Sequence, residues 1–290
     1  MFIGIDHGTT AMRFAGETGQ FKLSREAAKD FTMSALSRLC PIDKIEGIAL
    51  CYSMGDGITS ITSIGKVKNR GIISREGAGK HIGGGTKVFD EVARSGIPAI
   101  VLPGIHRGSP TDPRFKVYSH QTSPEKLGIA YEVCHDLGRD VIVSDVSSNT
   151  VSLLVSAGKL VGAFDACIFA PGSVHGALDV DAIRKIDAGE CTANEAFQHA
   201  GVNFSLPEED RIPAVAMFSA MECAALRLLN PRAAIALAGS LGPAIAPEVR
   251  KLLGTDVAVY DEWCASRGLA RIARDIFSGS TEVLGLGVDL

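Results

Sequence analysis

MFIGIDHGTTAMRFAGETGQFKLS, residues 1–24, holds three short apolar runs separated by turn residues. Residues 1–6 read as one strand, and 11–15 and 20–25 as two more, with Gly16, Glu17 and Gly19 turning the chain between the last two. That is the pattern of a three-stranded antiparallel meander. Asp6 closes the first strand and a tight Gly8-Thr9-Thr10 turn follows it. Such a turn can aim successive backbone N–H groups and two hydroxyls at an anion, with the carboxylate in reach of a divalent metal. The same residues also fit an ordinary Asp/Gly hairpin.

Further along, short apolar runs alternate with helix-length amphipathic segments, which predicts a mixed α/β protein. A helix is expected over 25–39, stopped by Pro41, and then a strand over 45–52. Residues 53–86 are rich in Gly, Ser and Thr and carry no helical period, a composition typical of functional or mobile loops. A helix near 86–95, a buried strand at 98–103 and the loop GIHRGSPTDPR at 104–114 come next. Pro124, after Ser123, marks another helix start.

The second half repeats this opening in outline, with strands at 140–147, 150–158 and 159–169. Helices near 179–187, 192–200 and 208–229, a strand at 233–240, a helix over 244–253, a strand at 256–261 and a helix over 262–277 complete the chain. Twice, a strand ends in an acidic residue, small hydroxyl residues follow, and two more strands come after. The repeat predicts two similar subdomains facing a cleft, 1–138 and 139–290. The segment PAVAMFSAMECAALRLL at 213–229 has small and sulfur side chains on several faces, which fits a helix packed on all sides or one lining a dimer contact.

Two more segments carry candidate chemistry. In VIVSDVSSNT, 141–150, Asp145 ends a buried strand, and Ser147, Ser148, Asn149 and Thr150 make the turn. Two strand-end aspartates could hold one magnesium ion and orient a water or hydroxyl for in-line attack on a γ-phosphate. A plain polar turn is the alternative. In AAIALAGSLGPAI, 233–245, a buried strand runs into Gly239-Ser240-Leu241-Gly242 and then a helix start. Small residues there let a flat base or a phosphate approach the backbone.

In this order the three segments resemble the phosphate-1, phosphate-2 and adenosine motifs of the actin-like ATPase, Hsp70 and sugar/acetate kinase superfamily. MFIGIDHGTTAMRF, PGIHRG, SPEKLGIAYEV and APGSVHGALDVDAIRKIDAGECTANEAF further resemble the archaeal methanogenesis marker protein 12 family. The superfamily resemblance implies a duplicated ribonuclease-H-like fold with ATP and Mg2+ in the cleft. It implies Asp6 and Asp145 as metal-associated carboxylates, Gly8, Thr9, Thr10, Ser147 and Ser148 at the phosphates, and Gly239, Ser240 and Gly242 at the adenosine. The family resemblance implies a methanogen cytoplasm and a link to methane metabolism.

Other side chains could serve a substrate. Lys80 and His81 sit beside a glycine run that opens a helix, and His106 and Arg107 lie in the 104–114 loop, a set suited to a carboxylate or phosphate. A glycine lid and a surface loop are the competing explanations. Asp165, near a strand end, is a candidate general base for an acceptor hydroxyl, or an exposed strand-end carboxylate. Three activities fit: a phosphotransferase on a small acidic metabolite, an ATPase switch acting on a partner protein, or a nucleotide-binding module without turnover.

Composition excludes some classes. A formal net charge of −4 and the lack of any Lys/Arg-rich run argue against nucleic acid as partner. No run of about 18 apolar residues and no basic leader occur, so no membrane partner and a cytoplasmic location are expected. The seven cysteines are widely spaced without a CxxC pair and are expected to be mostly core thiols rather than ligands of a protein-held cluster.

Overall fold

The computed structural model describes residues 1–8, 10–73 and 83–290, so Thr9, Lys80 and His81 lie outside the described residues. The chain forms two compact units, Met1–Asp136 with Trp263–Leu290, and Leu137–Glu262. The sequence-based division put 263–290 with the second half; the contacts place these residues in the first unit.

Unit 1 opens with the expected meander. Strands β1 (Phe2–His7), β2 (Ala11–Ala15) and β3 (Gln20–Ser24) pair antiparallel in sequence. Alternation along β1 sends Ile3 and Ile5 into a core with Met12, Phe14 and Phe31. The helix expected over 25–39 does not form. The chain instead makes 3-10 turns at Ala27–Asp30, Met33–Arg38 and Ile42–Lys44. Phe31 (φ −58°, ψ 134°) and Thr32 (φ −130°, ψ 156°) are extended, which interrupts any i to i−4 ladder. The interruption lets Phe31 stack on Phe14 with ring centroids 5.4 Å apart.

Strand β4 (Gly47–Leu50) lies parallel to β1; β5 (Ile61–Ser63) follows in the glycine-rich stretch, where no strand was expected. Helix α1 (Gly84–Arg94) adds Val88, Phe89 and Val92 to the Ile3–Ile5 side of the core. Then come β6 (Ala99–Val101), the short pair β7 (Ile105–His106) and β8 (His120–Thr122), and α2 (Glu125–Leu137).

Unit 2 starts with a second meander, β9 (Val141–Val146), β10 (Thr150–Ser156) and β11 (Lys159–Phe164). Helices α3 (Val180–Asp187), α4 (Ala193–Gln198), α5 (Val202–Ser205) and α6 (Glu208–Arg227) precede β12 (Ala234–Ala238), α7 (Gly242–Leu253) and β13 (Ala258–Val259). Every residue of β9 is buried, with α6 packed on β9 and β10 and α7 on β12. Helix α6 is not packed on all sides. Val215, Ala216, Ser219, Cys223 and Leu226 are buried, whereas Met217 and Met221 are 42% and 47% exposed. Its core face is polar in the middle, where Ser144 Oγ lies 2.9 Å from both Ser219 Oγ and Ser152 Oγ. Beside them Glu222 accepts the Ala170 N–H at 3.2 Å, and burial pushes its carboxyl up to about 8.

Helix α8 (Cys264–Phe277), with β14 (Glu282–Val283) and β15 (Leu286–Asp289), returns to unit 1. It packs on β1 so closely that a Cβ on Gly4 would sit 2.0 Å from the Ser266 carbonyl oxygen. Arg267 and Arg271 of α8 hold the buried Glu132 of α2 at 3.2 and 2.6 Å. The sheet of unit 1 runs β14-β15-β5-β6-β4-β1-β2-β3 and that of unit 2 β11-β10-β9-β12-β13. Within each, the first strand is flanked by the second and, in parallel, by the strand that leads outward to a further parallel strand. This repeated order is the duplicated ribonuclease-H-like, actin-like ATPase fold.

Candidate functional site

In unit 2, β9 carries Asp145 to the end of the strand, where it is 6% exposed. Gly239 follows the parallel neighbour β12 and lies directly on it. Its φ of +83° belongs to glycine, and a Cβ there would fall 2.4 Å from both Asp145 Oδ1 and the Val146 carbonyl oxygen. The Leu241 N–H donates to that Val146 carbonyl at 3.0 Å. The fold therefore brings together Asp145 and the 239–242 loop, which stand nearly a hundred residues apart in the chain. Ser240 is exposed at the loop's edge, and Gly242 is the first residue of α7.

The turn after Asp145 is tied down by its own backbone, with the Ser147 N–H donating to the Asn149 carbonyl at 2.8 Å. Residues 173–175 fix it from outside: the Ser173 N–H donates to Ser147, and those of Val174 and His175 to Ser148, at 2.8–3.0 Å. Ser147 and Ser148 thus keep partly exposed side chains on a rigid turn. Asp165 follows β11, and its Oδ1 accepts the Ala166 N–H at 2.9 Å. His175 stacks on Phe197 with centroids 4.8 Å apart, and burial lowers its pKa. A cavity of about 750 Å³ also opens in unit 2, lined by Asp181, Lys185, Glu190, Cys191 and His199 among others.

In unit 1, Asp6 is the penultimate residue of β1, 4% exposed. Arg13, its cross-strand partner on β2, donates from Nη1 to Asp6 Oδ2 at 3.4 Å. Gly8 sits under the same guanidinium, since a Cβ there would lie 2.5 Å from Arg13 Nη1. Thr10 is exposed beyond it. Of the 104–114 residues, His106 places Nε2 3.2 Å from the Ile58 carbonyl while its Nδ1 accepts the Gly108 N–H at 3.1 Å. The Arg107 guanidinium donates to the carbonyls of Lys116 and Val117 at 3.2 and 3.3 Å. His106 thus ties the loop to the segment at Ile58, and Arg107 ties it to the turn at 116–117.

One cluster escaped sequence reading. The next residue after Asp6, His7, points to the opposite face of the sheet, where Arg25 Nη1 lies 2.8 Å from its Nε2. Burial, and then the charge of Arg25, lower the His7 pKa to about 4. Arg25 had been read as the start of a helix, so nothing in the chain pattern linked it to His7.

Magnesium commonly takes one or two protein carboxylates and completes its shell with phosphate and water. Asp6 and Asp145 are buried carboxylates near the ends of β1 and β9, groups of the kind such an ion takes. Among the described residues no three His, Cys, Asp or Glu side chains form a preformed metal cage. No helix among them is long and apolar enough to cross a membrane. Of the seven cysteines, Cys40, Cys51, Cys223 and Cys264 are buried and Cys167 is exposed.

No family model matches the chain. It is 46% identical to a UPF0285 protein of Methanosarcina mazei, over 99% of both chains. It is 40% identical to a UPF0285 protein of Methanococcus maripaludis, again over 99% of both. Among solved structures, a propionate kinase from Francisella tularensis superposes with a TM-score of 0.56 at 12% identity, over 93% of this chain and 98% of that one. A ROK family glucokinase from Streptomyces griseus, in complex with glucose and AMPPNP, superposes at 0.51 and 15% identity, over 94% and 99%.

Proposed function

The chain belongs to the UPF0285 family of methanogens, and from that premise we propose that it binds ATP with magnesium and transfers the γ-phosphoryl group to a small acidic metabolite. The observation that carries this reading is the seating of Gly239 on Asp145. A strand-end carboxylate, a braced hydroxyl turn and a glycine-rich loop are what a nucleotide's metal, phosphates and base each require. The kinase fold of the structural neighbours supports it.

In this reading Ser147 and Ser148, with Gly8, Thr9 and Thr10, donate to phosphate oxygens, and Gly239, Ser240 and Gly242 admit the adenosine. Asp6 and Asp145 are each a candidate carboxylate for the metal. The metal, when bound, neutralises charge on the β- and γ-phosphates. Asp165 takes the proton of the acceptor hydroxyl. Lys80, His81, His106 and Arg107 are the candidate substrate contacts. A second reading, an ATPase switch acting on a partner protein, gains from the commitment of His106 and Arg107 to backbone carbonyls and N–H groups, which leaves fewer free groups for an acceptor.

The test is calorimetric titration with ATP and magnesium, followed by ADP release, on the intact protein and on Asp6→Asn and Asp145→Asn. Saturable binding that weakens at least about tenfold in either variant is expected. Absence of binding by the intact protein overturns the proposal. ADP release that depends on an added metabolite selects the kinase, and release without acceptor selects the switch.

A further inference from the structure

The group that nucleotide chemistry leaves unused is Arg25. Its guanidinium is partly buried beside β1, and burial penalises its charge. Among the described residues its polar contacts are His7 Nε2 at 2.8 Å and the Met12 sulfur at 3.6 Å, both from Nη1. The other ionisable group acting on it is Tyr52. Arginine always donates, so His7 Nε2 must accept and the imidazole is neutral in this contact. Among the described residues this partly desolvated cation, held by a neutral ring and a thioether, has no carboxylate of the kind that buried guanidinium groups normally have. Among the described residues each of the other buried or half-buried arginines of this unit has a carboxylate: Arg13 has Asp6, Arg70 has Asp90, Arg267 and Arg271 share Glu132, and Arg274 has Asp275.

The surroundings keep His7 and Arg25 in place. The His7 ring lies 5.2 Å from the Tyr52 ring, and the Tyr52 hydroxyl lies 2.8 Å from Thr86 Oγ1. A Cβ on Gly85 would fall 1.8 Å from His7 Nε2 and 3.1 Å from Arg25 Nη1. The backbone of α1 therefore closes one side, and among the described residues no acceptor takes the hydrogens of Arg25 Nε and Nη2. Glu125, which also acts on His7, is spent on Lys126 at 2.8 Å and on the Ser123 hydroxyl.

We propose that Arg25, oriented by His7, binds the anionic group of a small molecule, a carboxylate or a phosphate, on the α1 face of unit 1. If the chain is the phosphotransferase proposed above, that anion is the acid group of the acceptor. This identification rests on that reading, whereas the anion site itself does not.

The test uses the intact protein without nucleotide, titrated with sodium phosphate and with sodium acetate at constant ionic strength. The readout is the arginine Nε–Hε NMR signal that disappears in Arg25→Lys. A saturable shift of that signal is expected, with affinity from calorimetry falling about tenfold or more in Arg25→Gln and less in Arg25→Lys, which keeps the charge but loses the fork. Saturation by phosphate alone assigns a phosphorylated ligand, and by acetate alone or by both a carboxylic acid site. AMPPNP affinity should be unchanged in both variants, which separates this site from the nucleotide reading. No saturable effect of either anion on the intact protein, or equal affinity in Arg25→Gln, overturns the proposal; should Arg25→Gln not fold, equal affinity in Arg25→Lys and His7→Asn does so.

Discussion

Each unit carries a buried carboxylate one residue before the end of its first strand, yet the two stand among different described neighbours. In unit 1, Asp6 meets the guanidinium of Arg13, and one residue further a second guanidinium presses on a neutral His7. In unit 2, Asp145 meets backbone and a bare glycine, and the helix behind the sheet buries hydroxyls and a carboxyl that burial holds protonated to about pH 8. Strand order alone therefore does not set the chemistry of this fold. Unit 1 buries carboxylates paired with arginines and a neutral base beside a further guanidinium; unit 2 buries a neutral acid on α6.

The sharpest way to expose that contrast is pH. Glu222 has a raised folded pKa, so its contribution is full below the unfolded value and is lost as pH rises from about 4.5 to about 8. The protection of β9 and β12 amides against hydrogen exchange should fall across that window by roughly 4 kcal/mol, and Glu222→Gln should flatten the slope. A flat wild-type profile breaks the comparison on the unit 2 side.

Next in size is Gly4→Ala, which drives a Cβ into the α8 backbone. Protection in β1 and β4 should drop by about 3 kcal/mol while β9 and β12 hold theirs. Equal loss in both units would show that they unfold as one.

His7 should give the opposite pH sign. Its folded pKa is lowered, so its contribution is present above about 6.5 and is lost as pH falls toward about 4. In magnesium-free buffer the β1 amides should lose about 2 kcal/mol of protection over that range, and His7→Asn should remove the slope. The smallest effect belongs to α6: Met217→Lys, on its exposed face, should change unit 2 stability by no more than about 0.5 kcal/mol in urea unfolding. A larger loss would mean that this face is covered in solution.

Both meanders could be read from the chain because each is three consecutive strands whose partners are sequence neighbours. The missed strands are short and pair at long range: β5 has three residues, and its partners are β6 and β15. The 25–39 helix failed because aromatic stacking of Phe31 outweighed helical propensity. At the site, Asp145 and the 239–242 loop were legible as motifs, though their contact exists only once β12 lies parallel to β9. His7 and Arg25 left no local trace, since their meeting depends on strand parity and on a loop that is not a helix.

The return of α8 to β1 has a consequence for the order in which the protein is made. Residues 137–262 leave the ribosome as one uninterrupted stretch and contain all of unit 2, whereas β1, synthesised first, waits for residues 264–277 to cover the face that Gly4 opens. The unit encoded first is therefore the last to close, and a nascent chain halted before α8 would expose Phe2 and the bare face of β1 to whatever chaperone is nearby.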